Sequence, residues 1–261
     1  MNTEITPPFG RQGNKWKMRK DIVPFIPSHT TYVEPFCGSG AIFFSKPKAE
    51  TNVLNDIDKK VIERLTLLKQ CPTNPEVYPQ LDKTVEAYKE FFDTAGDTLP
   101  ERLVLAKIQT GCGFCNRLIY HSKEIYKANT AKKLIDNLAT YQERLNEVAL
   151  TTEDYPDVVS RYDSEDTFFF IDPPYESDMK TAIRFGYEDT NDFERLATVL
   201  STIRGKFMMT INDSPRMRTM FSKYHIKEVD VLRGWSATKK AKQDNYKRKE
   251  LIITNYDLVK N

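Results

Sequence analysis

The sequence predicts an α/β fold, an open sheet with helices on both faces that carries a mostly helical insertion. Near the N-terminus, Thr31-Tyr32-Val33-Glu34-Pro35-Phe36 reads as a strand and Cys37-Gly38-Ser39-Gly40 as a glycine turn. Ala41-Ile42-Phe43-Phe44 then starts a short helix that Pro47 ends, which completes one βα unit. Further on, Phe168-Phe169-Phe170-Ile171 is an apolar run of buried-strand length, stopped by Asp172-Pro173-Pro174-Tyr175. From Val61 to Leu150, strand-like runs give way to helical periodicity. Residues 1–60 and 151–261 are therefore expected to form the sheet domain, and residues 61–150 the insertion.

A chain of 261 residues suits one large domain, or one domain with an insertion. The net charge of +2 with 29% charged residues means that only local basic clusters can mark a polyanion partner. The sequence has no apolar leader and no run of membrane-span length, so a soluble cytoplasmic protein without a membrane partner is expected. Cys37, Cys71, Cys112 and Cys115 are too scattered for a disulfide scaffold. Cys112 and Cys115 form C-x-x-C ahead of His121, but a second ligand pair is not evident, and no metal is expected.

In chain order, Gly13-Asn14 marks a turn, because both residues tolerate left-handed backbone. Lys15 follows, then a basic helical segment up to Pro24. The glycine turn at Cys37–Gly40 places helix N-terminal amides toward a ligand, but Phe43 stands where a dinucleotide fingerprint needs its third glycine. Asn52-Val53-Leu54-Asn55 is the next strand and delivers Asp56 to the sheet edge, about 20 positions past the glycine turn, where ribose hydroxyls are received. Asp56 or Asp58 also caps the helix at Lys59–Leu68.

Within the insertion, helices are expected around Val85–Phe92 and Arg102–Ala106, and from roughly Ala131 to Val148. Gly111–Lys123 lies between them as a loop whose Asn116, Arg117 and Lys123 suit phosphates or base edges. Glu153–Val159 has short strand and turn texture. After Tyr175 come a polar loop, an amphipathic helix over Asn191–Ile203, a strand at Lys206–Ile211, a short helix after Pro215, and strands at His225–Leu232 and near Leu251–Thr254. Between the last two strands, Trp235, Lys239, Lys240, Lys242, Lys247 and Arg248 form the densest basic run, placed to meet a polyanion.

The prolines after Ile171 fix Asp172 and Tyr175 at the carboxyl end of a core strand, the edge where open α/β sheets bind ligands. A carboxylate there accepts a hydrogen bond from an exocyclic amine, the Pro173 carbonyl accepts a second, and Tyr175 offers a flat face to a planar base.

Assembled in order, Gly13-Asn14-Lys15, Glu34-Pro35-Phe36-Cys37-Gly38-Ser39-Gly40, Asn55-Asp56-Ile57, a helical insertion and Asp172-Pro173-Pro174-Tyr175 resemble the Dam-like, D12-class (alpha group) DNA adenine-N6 methyltransferases of the phage Dam type. The resemblance implies a Rossmann-like methyltransferase sheet and a target-recognition role for the insertion. It implies S-adenosylmethionine contacts at Arg11, Lys15, Glu34, Phe36, Gly38, Gly40, Asp56 and Asp172, with Arg11 standing where the family usually has an aromatic ring. It implies catalysis by Asp172, Pro173, Pro174 and Tyr175 on an adenine flipped out of double-stranded DNA, without a metal. DNA contacts are expected from Asn116, Arg117, Lys123, Trp235, Lys239, Lys240, Lys242, Lys247 and Arg248. Methylation of cytosine N4 or of RNA adenine, and an inactive DNA-binding homologue, are the competing readings. No obligate protein partner is expected, and the cytoplasmic protein would be nucleoid-associated.

Overall fold

The computed structural model describes residues 4–11, 13–79, 90–91, 93–114, 117–118, 130–175, 192–232 and 247–259. A seven-stranded sheet organises them. Its strands are β1 (Thr31–Glu34), β2 (Thr51–Asn55), β5 (Val148–Thr151), β6 (Thr167–Ile171), β7 (Lys206–Asn212), β8 (His225–Leu232) and β9 (Lys247–Thr254), in the order β5-β2-β1-β6-β7-β9-β8. The pairs from β5 through β7 are parallel, and β9 runs antiparallel to both β7 and β8. From β1 the chain steps outward to β2 and β5, then crosses to β6 on the other side. The carboxyl ends of β1 and β6 therefore flank the reversal of strand order, where such sheets hold ligands.

Alternation along the strands sends side chains to two cores. Tyr32, Leu54, Phe168, Phe170, Met208 and Ile252 pack with α1 (Arg19–Ile22), α2 (Lys59–Gln70), α3 (Leu99–Cys112), α4 (Thr130–Asp136) and α5 (Leu138–Leu145). Val33, Val53, Phe169, Ile171, Phe207 and Ile253 pack with α6 (Tyr155–Tyr162), α7 (Asp192–Thr202) and α8 (Pro215–Met220). With both faces covered, the central strands are apolar throughout, which is why Phe168–Ile171 shows no polar alternation.

Several elements differ from the sequence expectation. The strand at 31–36 ends at Glu34, and Pro35-Phe36 already belong to a turn. The short helix after the glycine turn is a single 3-10 turn, Phe43–Ser45. The helix expected over 131–148 is two, α4 and α5, broken at Asn137, and it stops at Leu145. Glu147 then takes a left-handed φ of 57° and reverses the chain, so Val148–Thr151 pairs in parallel with β2 as an edge strand. Glu153–Val159 is not strand and turn. Asp154 precedes α6, Pro156 sits in its first turn, and Tyr155, Val158, Val159 and Tyr162 line one face at helical spacing. Gly113–Phe114 and Arg117–Leu118, expected in a loop, pair as β3 and β4 of a small antiparallel ladder. The final strand starts at Lys247 and not near Leu251, which puts Lys247 and Arg248 opposite Leu232 and Val231 in the β8–β9 ladder. The Val85–Phe92 helix expectation and the polar loop after Tyr175 fall almost wholly outside the described residues. No helix among the described residues is long and apolar enough to cross a membrane.

Candidate active site

Asp172 follows β6 directly, and its side chain meets partners from two other parts of the chain. Lys15 Nζ lies 2.6 Å from Oδ1, and Thr210 Oγ1 on β7 donates to the same oxygen at 2.9 Å. Lys15 is 4% exposed. Its ammonium also donates to the Gly13 carbonyl at 2.9 Å and sits 4.8 Å from the centroid of the Tyr175 ring. Asn14 builds this loop: its side chain caps the 3-10 turn at Lys15–Met18 by accepting the Trp16 N–H and donates to the Arg11 carbonyl. Burial pushes the Asp172 carboxyl above the ordinary carboxylate range. Lys15 and Thr210 hold it down, and the Glu250 carboxylate pushes it up.

Tyr175 is buried, and its hydroxyl donates to Glu250 Oε2 on β9 at 2.6 Å. Pro173 is buried and Pro174 half-buried between them. The proline pair thus presents Asp172 and Tyr175 as one rigid unit.

The second half of the site is the turn after β1. Gly38 and Gly40 have φ of 51° and 65°, the left-handed region that favours glycine, and a Cβ on Gly40 would lie 3.1 Å from the buried Phe44 ring. The turn is tied to the end of β2 by the Gly38 N–H, which donates to Asp56 Oδ2 at 2.9 Å. Asp56 Oδ1 accepts the Asp58 N–H at 3.0 Å, and Asp58 in turn caps α2. Arg11 reaches across, with Nη1 3.1 Å from Asp58 Oδ2 and Nη2 3.9 Å from Asp56 Oδ1. Burial raises the Asp56 carboxyl, and Arg11 and the two N–H donors oppose that rise.

Glu34 is placed differently from the other candidates. It is 1% exposed, beneath the turn, where Oε1 accepts the Tyr32 hydroxyl and the Phe43 N–H, both at 2.7 Å. Burial lifts its carboxyl to about 8. Phe36 is half-buried, 5.1 Å from the Tyr155 ring. The structure therefore gathers Lys15, Asp172 and Tyr175 at one cluster and Arg11, Gly38 and Asp56 at another, with Gly40 holding the turn. Asn116, Lys123, Trp235, Lys239, Lys240 and Lys242 lie outside the described residues, and for Arg117, Lys247 and Arg248 only the strand positions are described.

Three residues were not singled out for these roles from sequence. Thr210 and Glu250 reach the Asp172 cluster from β7 and β9, and each is a buried polar residue, Thr210 within an apolar run and Glu250 just before one. Ile57, a large apolar side chain left 37% exposed beside Asp56, is the third.

A family model for D12 class N6 adenine-specific DNA methyltransferases matches residues 12–107 and 119–235. The chain belongs to that family. The D12-class chain is thus a DNA adenine methyltransferase by family. It is also 21% identical over 259 residues to the type II methyltransferase M.CviBI of Paramecium bursaria Chlorella virus NC1A, across 94% of this chain and 97% of that protein. Among solved structures, the D12-class chain has a TM-score of 0.40 and 10% identity to precorrin 8W decarboxylase of Methanobacterium thermoautotrophicum, covering 98% and 97% of the two chains. A candidate methyltransferase of Thermoplasma acidophilum gives 0.36 and 10%, covering 91% and 73%.

Proposed function

We propose that the protein methylates the N6 amine of an adenine swung out of double-stranded DNA, with S-adenosylmethionine as donor. The environment of Asp172 carries this reading. Both protein donors found there, Lys15 and Thr210, bind Oδ1, which leaves Oδ2 for a substrate N–H.

The residues fit the donor. Ser39 Oγ in the glycine turn and Asn212 Oδ1 at the end of β7 are buried without a hydrogen-bond partner among the described residues. Such an atom costs roughly 1–3 kcal/mol, a cost that a polar ligand relieves. Asp56 keeps acceptor capacity for ribose hydroxyls, and Ile57 offers an apolar surface to a planar ring. Arg11, Gly38 and Asp56 would hold the nucleoside part, while Glu34 would act from below by anchoring the Phe43 N–H. When bound, S-adenosylmethionine supplies an electrophilic methyl group on a positively charged sulfur.

The protein's own task is to make a poor nucleophile good. The adenine N6 lone pair is delocalised into its ring. A hydrogen bond from N6 to Asp172, and a second to the Pro173 carbonyl, favour a tetrahedral nitrogen whose lone pair is free to attack. The same bonds stabilise the positive charge that grows on N6, so they strengthen toward the transition state. The proton leaves N6 after the new bond forms, with the Asp172 carboxylate placed to receive it. Tyr175 would stack on the base, and the basic run between β8 and β9, with Asn116, Arg117 and Lys123 between α3 and α4, would bind DNA. We assign target recognition to the helical segment within 61–150.

The test is incubation with labelled S-adenosylmethionine and mixed-sequence duplex DNA, followed by digestion to nucleosides. N6-methyladenine is expected. N4-methylcytosine, or label in RNA alone, would overturn the substrate assignment, and DNA binding without transfer would overturn the enzymatic one.

A further inference from the structure

We propose that Glu250 is a positioning residue that fixes the Tyr175 ring for the target base, an inference that rests on the function proposed above. The Tyr175 hydroxyl donates to Glu250 Oε2 at 2.6 Å, the length of a hydrogen bond strengthened by charge. Both groups are buried, Glu250 to 5% and Tyr175 to 7% of full exposure. The carboxylate is rigidly carried. Residue 250 stands opposite Asn212 on β7 and Val229 on β8, so ladders on both sides fix its backbone. It is also part of the Asp172 cluster, because its negative charge raises the Asp172 carboxyl.

A buried carboxylate is a poor device for stability, since taking the charge out of water costs about as much as a good partner returns. A phenylalanine facing an apolar residue at 250 would pack the same space without that cost. What the Tyr175–Glu250 pair adds is orientation. The ring torsion of a tyrosine is broad, and a hydrogen bond at the far end of the ring pins its plane. Lys15 stands 4.8 Å from the ring centroid and fixes its neighbour Asp172 by the 2.6 Å ion pair. The stacking surface and the N6 acceptor are thereby held in one frame, and misplacement of a reacting group by about 1 Å can cost on the order of 100-fold in rate.

Glu250→Ala, Glu250→Gln, Tyr175→Phe and the double variant Tyr175→Phe/Glu250→Ala test this by steady-state methyl transfer to mixed-sequence duplex DNA. Binding of S-adenosylhomocysteine and the melting temperature are measured in parallel. Glu250→Ala and Tyr175→Phe should each lower kcat by about 10- to 100-fold, and the double variant should lose no more than the worse single one, because both act through one bond. Glu250→Gln, whose amide oxygen accepts the same O–H, should recover most of that loss. Affinity for S-adenosylhomocysteine should stay within about 3-fold of the parent in all four. Multiplying losses, or a Glu250→Ala protein with an unchanged kcat, would overturn the proposal. If Glu250→Ala fails to fold, Tyr175→Phe decides alone, since it removes a single hydroxyl. It must lose kcat with its melting temperature and ligand affinity intact, and a fully active Tyr175→Phe overturns the role. A parent protein that makes no N6-methyladenine refutes the underlying function, whereas an active parent with indifferent variants refutes only the role of Glu250.

Discussion

Lys15 Nζ stands 2.6 Å from Asp172 Oδ1, joining the N-terminal loop to the end of the central strand β6. The pair keeps a half-buried carboxyl available as an acceptor. With Thr210 on the same oxygen, it also fixes the carboxylate plane, so the second oxygen points one way. Asp172→Ala removes the proposed acceptor for N6 and should lower kcat by about 1,000-fold or more, comparable to loss of a transition-state hydrogen-bonding group. Labelled methyl transfer checks this, and retained turnover would remove Asp172 from the chemistry.

The same pair predicts a pH effect. The proposed acceptor is the ionised carboxylate, so activity should rise with pH through the Asp172 pKa. Burial places that pKa above the ordinary range, and Lys15 holds it down. Lys15→Met withdraws the restraining charge and leaves burial and Glu250 to raise it further. The acid limb of kcat/KM should move to higher pH, so the variant's deficit is larger on the acid side of the profile than on the alkaline side. A pH–rate series on both proteins decides it, and an unmoved limb would mean that Lys15 does not act through Asp172.

The two left-handed glycines of the turn should differ in tolerance. A non-glycine residue there costs about 1–2 kcal/mol for the backbone alone. At Gly38 the added Cβ meets the flexible Arg11 side chain at 3.3 Å, whereas at Gly40 it meets the fully buried Phe44 ring at 3.1 Å. Gly40→Ala should therefore lower the melting temperature, and weaken S-adenosylhomocysteine binding, more than Gly38→Ala does. Thermal melts and calorimetric titration of both variants check the order.

Asp56 should behave as a binding residue and Asp172 as a rate residue. Asp56→Ala removes the proposed ribose acceptor and frees the Gly38 N–H that ties the turn to β2. Losing hydrogen bonds to a charged group of about 1.5–3 kcal/mol corresponds to roughly 10- to 100-fold weaker binding of S-adenosylhomocysteine. At saturating donor, kcat should change far less. An Asp56→Ala protein with full affinity and a collapsed kcat would reverse the two assignments.

What the sequence makes legible here is local. An apolar run closed by two prolines locates Asp172 and Tyr175, and a strand with a glycine turn locates Gly38 and Gly40, because each signal lies within a few residues. Thr210 and Glu250 are written just as plainly, as a threonine inside the apolar run of β7 and a glutamate between the basic start of β9 and its apolar end. Their meaning depends on strand order, since only the sequence β6-β7-β9 brings them beside Asp172. Linear pattern does not encode that order. The misread segments fail for a related reason: Val148–Thr151 continues the apolar texture of α5, and a single left-handed residue, Glu147, turns helix into edge strand.

The basic run between β8 and β9 predicts salt-dependent DNA binding. Each lysine or arginine that neutralises a phosphate contributes about 0.9 to the slope of log affinity against log salt. Lys239→Ala and Lys240→Ala should each weaken binding to unrelated duplexes alike and flatten that slope by roughly one. Fluorescence titrations across a salt series measure it, and an unchanged slope would take these lysines off the DNA.

Glu34 predicts a pH dependence of stability. Its carboxyl is raised from 4.5 to about 8 by burial, so the folded chain keeps a proton that the unfolded chain releases. The stability this gives is full below the unfolded value and is lost as pH rises through about 8. Nearby Lys46 is lowered from 10.5 to about 7 by burial, so its contribution is present above the unfolded value and lost as pH falls through about 7. Below about pH 7 Lys46 is charged in both states, and Glu34 alone sets the slope from this pair. Glu34→Gln keeps a side-chain oxygen for the Phe43 N–H but cannot ionise. Its melting temperature relative to the parent should therefore rise as pH goes from about 5 to about 7. A difference that stays flat across that window would mean that Glu34 is ionised in the folded protein, with Tyr32, Phe43 and Lys46 sufficient to hold its charge.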